Sequence, residues 1–260
     1  MNDSDALNAA VNALPPAELI ELQGAAALLS RRERKYLVPL SIATALATEI
    51  NGGARALQIN NSRSFRYASV YFDTPSETSF FTAAHRRRHA FKVRTRTYID
   101  SNNCVLEVKL RGTRNTTAKS QLEYSVALGS ELSHEALDFV SQTLGSDVHE
   151  SMLRPTITTY YDRSTFLMPS DARLTIDTNF LATTPAGQQL TLDGIAIIET
   201  KSRSAPTTAD RALWRMGFRP VRLSKFGTSL VAMDPSRPSN RWTRALKSPW
   251  QSTAPEGVQA

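Results

Sequence analysis

A single cysteine in 260 residues, Cys104, leaves no partner for a disulfide within the chain and suits a reducing compartment. No His or Asp pattern surrounds it that would make it a nucleophile. No apolar run approaches the ~20 residues that a membrane-spanning helix needs. The start, "MNDSDALNAA", lacks the basic head and apolar middle of a secretory signal. These absences give the expectation of a cytoplasmic protein, with attachment to the inner face of a membrane through a separate partner protein left open. His134 and His149 have no companion at metal-ligand spacing. The Gly-Phe aromatic signature of an RNA-recognition sheet is missing too, so nucleic acid is not an expected partner.

What the chain does have is positive charge. Lys and Arg number 31 against 24 Asp and Glu, a net charge of +7 with a pI near 9.7, which favours an anionic partner. An apolar fraction of 41% is enough for a proper core. Residues 1–29 contain a Pro-Pro start followed by "AELIELQGAAALL" and read as a helical extension packed outside the fold. Residues 235–260, rich in Pro, Ser and basic residues, read as a disordered basic tail. Between them, residues 30–234 form the folded core, with strands expected at 32–38, 65–73, 89–98, 103–111, 119–126, 156–166, 172–179 and 193–201. Helices are expected at 39–50, 130–144, 207–217 and 226–233, and a hairpin turn at Asn102-Asn103. Eight mostly sequential antiparallel strands point to an α+β protein built on an eight-stranded antiparallel barrel with helices packed outside.

Neighbouring side chains of a strand point to opposite faces, and in this chain that rule separates charge from apolarity. In "HAFKVRTRTYID" Lys92, Arg94 and Arg96 share a face opposite Phe91, Val93, Thr95 and Thr97. Glu33 and Lys35 share a face, as do Glu107 and Lys109, Lys119 and Glu123, Tyr161 and Arg163, Arg173 and Asp177, and Glu199 and Lys201. Charges facing water over an apolar interior would be the ordinary arrangement. However, the charges are mixed in sign and concentrated in the strands, and outer helices need an apolar barrel surface to pack on. Charges facing inward leave an excess of cations that must be met by water and an anion. That arrangement predicts a polyanionic ligand, with the fewer carboxylates binding a divalent metal. The run "HRRRH" at 85–89 reads either as a phosphate or nucleic-acid patch or as a solvated turn between strands.

Eight segments in order, "ERKYLV", "YFDTP", "KVRTRTY", "LEVKLRG", "YYDRSTF", "RLTIDTNF", "IIETK" and "LSKFGTS", resemble the polyphosphate polymerase domain of the vacuolar transporter chaperone (VTC) family, within the CYTH-like triphosphate tunnel metalloenzymes. The resemblance implies an eight-stranded tunnel in which the γ-phosphate of ATP is transferred to a polyphosphate chain with help from Mn²⁺ or Mg²⁺. It implies Lys35, Arg94, Arg96, Lys109, Arg163, Arg173, Lys201 and Lys225 as catalytic phosphate ligands. Glu199 would hold the metal, supported by Glu33, Glu107 or Glu123. Related tunnel hydrolases begin with Glu-x-Glu-x-Lys, whereas this chain has Arg31, Glu33 and Lys35 at that point. The lost carboxylate favours a polymerase over a triphosphatase acting on inorganic triphosphate or a nucleotide. Both stay open, as does a polyphosphate-binding sensor without turnover.

Overall fold

A computed structural model describes residues 2–26, 32–88, 90–111, 117–146, 152–203 and 205–253. It opens with α1 (Asp3–Asn12), β1 (Pro16–Ala17), α2 (Leu19–Ala26), β2 (Arg32–Pro39) and α3 (Leu40–Glu49). Next come β3 (Arg55–Leu57), β4 (Phe65–Asp73), α4 (Thr78–Ala84), β5 (Phe91–Tyr98), β6 (Asn103–Arg111) and β7 (Thr117–Tyr124). The second half contains α5 (His134–Leu144), β8 (Arg154–Met168), β9 (Ala172–Thr183), β10 (Gln189–Thr191), β11 (Ile195–Ser202), α6 (Thr208–Arg215), α7 (Lys225–Met233) and β12 (Gln251–Thr253). Each of the eight expected strands is present as β2, β4, β5, β6, β7, β8, β9 or β11. Four short pieces, β1, β3, β10 and β12, bring the hydrogen-bonded sheet to 12 strands, and the pairings among the described residues do not close it into a barrel.

The chain divides into two compact units. The first comprises Met1–Phe65, Asp162–Asn179 and Leu192–Leu223, the second Arg66–Tyr161, Phe180–Thr191 and Ser224–Ala260. Both β8 and β9 therefore run from one unit into the other.

In the first unit β11 lies antiparallel to both β2 and β9, with Ile198 opposite Tyr36 and Ile176. That face is apolar: Tyr36, Val38, Leu174, Ile176, Ala196 and Ile198 are all buried. They share a core with Leu7 and Val11 of α1, Leu46 of α3 and Leu213 of α6. Each such aliphatic side chain, fully buried, contributes about 1.5–3 kcal/mol. The N-terminal segment is thus part of the core and not an extension outside it. Two apolar residues four apart, Leu7 and Val11, anchor α1, and the Asn2 side chain caps it by accepting from the Asp5 amide at 2.8 Å.

In the second unit β4, β5, β6 and β7 form an antiparallel meander. Val93 of β5 and Leu106 and Val108 of β6 are buried on one face, against Ala136 and Val140 of α5. The turn between β5 and β6 runs through Ile99–Ser101 to Asn102, whose φ of 51° is left-handed, a conformation that suits asparagine. Asp73, at the end of β4, caps α4 by accepting from the amides of Ser79 and Phe80, both at 2.8 Å. Nothing in local periodicity announces this seven-residue helix, which the sequence reading does not contain.

The described part of residues 235–260 is folded, contrary to the sequence expectation. Trp242 is 2% exposed and packs on Phe80, with ring centroids 5.9 Å apart. A Cβ added to Gly227 of α7 would lie 2.4 Å from the Trp242 ring, so only glycine admits the indole here. β12 then pairs antiparallel with β10. Proline and serine gave this segment a disordered composition, and one buried indole is enough to overrule it.

Candidate phosphate-binding clusters

On the sheet face opposite each core, the two units gather charge. In the first unit the register sets Glu199 opposite Lys35 and Lys201 opposite Glu33 and Arg173. Lys35 Nζ lies 2.7 Å from a Glu33 oxygen and 3.3 Å from Glu199, while Lys201 Nζ lies 2.6 Å from the other Glu199 oxygen. Burial alone would raise the Glu199 pKa, but Lys35, Lys201 and Arg163 hold it well below the carboxylate range. Burial would likewise lower Lys35, and the Glu199 and Glu33 carboxylates hold it above the usual lysine value. Arg163 donates to both oxygens of Asp177, at 2.5 and 2.8 Å, and Arg173 Nη2 donates to the Leu22 carbonyl at 2.7 Å.

The second unit is organised around one carboxylate. Glu107 is fully buried, yet Lys119 Nζ lies 2.6 Å away, Arg94 Nε donates at 2.6 Å and Gln121 donates at 3.0 Å. The Arg96 guanidinium is 3.9 Å off. Burial would push the Glu107 pKa up, but Arg94, Arg96 and Lys119 drive it far below the carboxylate range. Lys119 is pulled below the lysine range by burial first, with Arg96 and Arg94 adding repulsion. Lys109 shares this face, paired in register with Lys92 and Lys119.

Aromatic rings support the cations. Arg94 donates to the Tyr71 hydroxyl at 2.9 Å and lies 5.6 Å from that ring centroid; Tyr71 stacks on Phe226. Arg96 lies over Tyr67, Tyr67 stacks on Tyr161 at 5.3 Å, and Lys225 Nζ sits 4.3 Å from the Tyr161 ring. Lys92 donates to Ser224 at 2.7 Å and lies over Phe226. A ring beside a guanidinium restricts its plane, and the Tyr71 hydroxyl takes only one of the five donors of Arg94. The cations of "KVRTRTY" are therefore buried on the face away from the apolar core, Arg94 and Arg96 being only 11% and 12% exposed at the side chain.

All the expected phosphate ligands fall in these two sets: Lys35, Arg163, Arg173 and Lys201 in the first, Arg94, Arg96, Lys109 and Lys225 in the second. Of the expected carboxylates, Glu33 and Glu199 converge on Lys35, Glu123 is exposed on β7, and Glu107 is committed to its cations. Tyr71 holds Arg94 through its hydroxyl and ring. Tyr67, Ser69 and Tyr71 alternate along β4, a period-2 signal visible in "FRYASVYFD". Arg31 and His89 lie outside the described residues.

Among the described residues no group of three or more His, Cys, Asp and Glu side chains is placed to hold a metal. Glu33 and Glu199 still offer a pair of ionised oxygen donors of the kind Mg²⁺ and Mn²⁺ take, and such ions commonly complete their shell with water and phosphate oxygens. Opposite Glu199 in register, the buried Thr175 hydroxyl has no hydrogen-bond partner among the described residues; opposite Arg96, neither does the Ser69 hydroxyl. A buried hydroxyl left unpaired costs about 1–3 kcal/mol, so both positions fit a site completed by a ligand.

A family model for the VTC domain matches residues 30–233. No curated protein matches the chain. Among solved structures it is similar to the putative adenylyl cyclase HpAC1 from Hippeastrum, described as having a dominant triphosphatase activity, at 16% identity and a TM-score of 0.47, covering 75% of this chain and 93% of that one. It is also similar to PH1819 from Pyrococcus horikoshii OT3, at 12% identity and a TM-score of 0.46, covering 79% of this chain and 99% of that one. A conserved hypothetical protein, Pfu-838710-001 from Pyrococcus furiosus, matches at 14% identity and a TM-score of 0.39, covering 72% of this chain and 88% of that one.

Proposed function

Since the chain belongs to the VTC domain family, we propose that it is an ATP-dependent polyphosphate polymerase, the activity that the family resemblance implies. The observation that carries this reading is the cation-rich face of the second unit, where Arg94, Arg96 and Lys119 share a single buried carboxylate. Cations clustered on a partly covered face favour an anionic ligand beside them.

In the reaction, the terminal phosphate oxygen of a polyphosphate chain attacks the γ-phosphorus of ATP. One P–O bond forms, the bond to the β-phosphate oxygen breaks, and ADP leaves. The protein's work is positioning and charge neutralisation. Arg94 and Arg96, held in plane by Tyr71 and Tyr67, present paired donors to non-bridging oxygens. Lys109 and Lys225 add point charges beside them, and Lys35, Lys201, Arg163 and Arg173 are the phosphate ligands that the resemblance implies in the first unit. Glu199 with Glu33 is the pair that would hold Mn²⁺ or Mg²⁺, which supplies charge neutralisation at the transferring phosphoryl group. A triphosphatase with the same ligands would pass the phosphoryl group to water. The two carboxylates of the first unit keep that second reading alive, because a metal site serves hydrolysis equally well.

The test is incubation of the purified protein with ATP and Mn²⁺, with and without a short polyphosphate primer, following ADP and chain length together. Long chains with stoichiometric ADP, lost in Arg94→Ala and Glu199→Gln, are expected. Free phosphate without chains would transfer the assignment to a triphosphatase, and tight polyphosphate binding without turnover would leave a sensor.

A further inference from the structure

At the end of α4 the second unit carries a second set of cations, separate from the buried cluster. His85, Arg86, Arg87 and Arg88 follow the helix as a turn and are all exposed. Arg86 has a left-handed φ of 56°, and the Arg87 amide closes the turn by donating to the Thr82 carbonyl at 2.9 Å. Arg241 Nη1 donates to the Ala83 carbonyl at 2.8 Å and so brings the C-terminal segment to this corner; Arg244 and Lys247, a few residues on, are exposed as well. Arg111 reaches the Arg86 carbonyl at 3.3 Å.

Charge at this corner is left unbalanced. Glu77 and Asp234 are both engaged by Arg237. Arg86, Arg87, Arg88, Arg244 and Lys247 form no ion pair among the described residues. One cation would suffice to complement the negative end of a short helix; three consecutive exposed arginines are not explained by it. Phe81, one turn before the arginines, is 40% exposed, with one ring face stacked on His85 at 6.3 Å.

We propose that this corner docks on an anionic phospholipid surface. Headgroup phosphates meet the arginines, and the Phe81 ring enters the headgroup boundary, which takes both charge and a ring. A free polyphosphate would gain nothing from an exposed phenyl ring. A nucleic-acid strand is ordinarily tracked by a basic groove with open stacking faces, whereas these cations sit on a helix-ending turn and His85 occupies one face of the ring. The inference does not depend on which phosphate reaction the buried cluster supports.

The experiment is co-sedimentation of the full chain with phosphatidylcholine vesicles, with or without about 30 mol % phosphatidylglycerol as the anionic lipid. Binding is expected only to the anionic vesicles and is expected to weaken as salt rises. Each arginine near the surface is worth about fivefold in partitioning, so Arg86→Asn/Arg87→Gln/Arg88→Gln should lose about a hundredfold. Asparagine at position 86 accepts the left-handed backbone. Arg244→Gln/Lys247→Gln should lose about tenfold or more and serves if the triple variant fails to fold. Phe81→Ser should weaken binding several-fold, and Arg94→Ala should leave it unchanged. Equal binding to neutral and anionic vesicles, or wild-type binding by both charge variants, would overturn the proposal. So would an absence of vesicle binding combined with arginine-dependent binding of soluble polyphosphate or single-stranded RNA.

Discussion

The two charged faces are built on the same plan and balanced differently. In the first unit Lys35, Lys201, Arg163 and Arg173 stand against Glu33, Glu199 and Asp177, so cations and carboxylates nearly cancel. In the second, Arg94, Arg96 and Lys119 crowd Glu107, while Lys92 and Lys225 lie on aromatic rings. Carboxylates hold the cations of the first, and tyrosine and phenylalanine rings support those of the second. A balanced cluster keeps oxygen donors in place for a cation, and an unbalanced one is left to be neutralised by an anion.

If this contrast is right, removing the central carboxylate should hurt the second unit most. Glu107→Gln leaves buried cations without a counter-charge and is expected to destabilise the protein by about 3–5 kcal/mol, read as a lowered denaturant midpoint. Glu199→Gln, whose lysines are partly exposed and of which Lys35 retains Glu33, should cost about 1–2 kcal/mol while abolishing metal-dependent turnover. Equal stability losses in the two variants would erase the distinction. Tyr71→Phe removes one hydrogen bond to a guanidinium and should cost about 1.5 kcal/mol of ligand binding, seen as a higher KM for ATP with a smaller change in kcat.

Acid should expose the same asymmetry more gently. The Glu107 pKa is depressed in the folded state, so its contribution to stability is complete above the unfolded value of about 4.3. That contribution should fade as the pH drops towards the lower folded value. A denaturation series from pH 6 downward should show the wild type losing stability below about pH 4.5 more steeply than Glu107→Gln.

Much of this was legible in the residues. The period-2 alternation of β5, β6, β9 and β11 separates apolar from charged faces, and the eight long strands follow from it. What alternation cannot supply is register across strands. That Glu107 faces Arg94 and Gln121 depends on which residues pair between β5, β6 and β7. Tyr67 and Tyr71 were unreadable as supports for the same reason: their partners lie on another strand. α4 escaped because the Asp73 carboxylate, several residues before the helix, and not helical periodicity holds it.

Trp242 finally bears on where this protein can be cut. The family match stops at residue 233, whereas the indole that covers Gly227 comes nine positions later. A shortened chain ending at the family boundary would strip the cover from the helix that begins at Lys225. Loss of ligand affinity in such a fragment would report a damaged scaffold and say nothing about the chemistry of the site. The folded part extends past the end of the family match at least as far as the short strand β12, which pairs with β10.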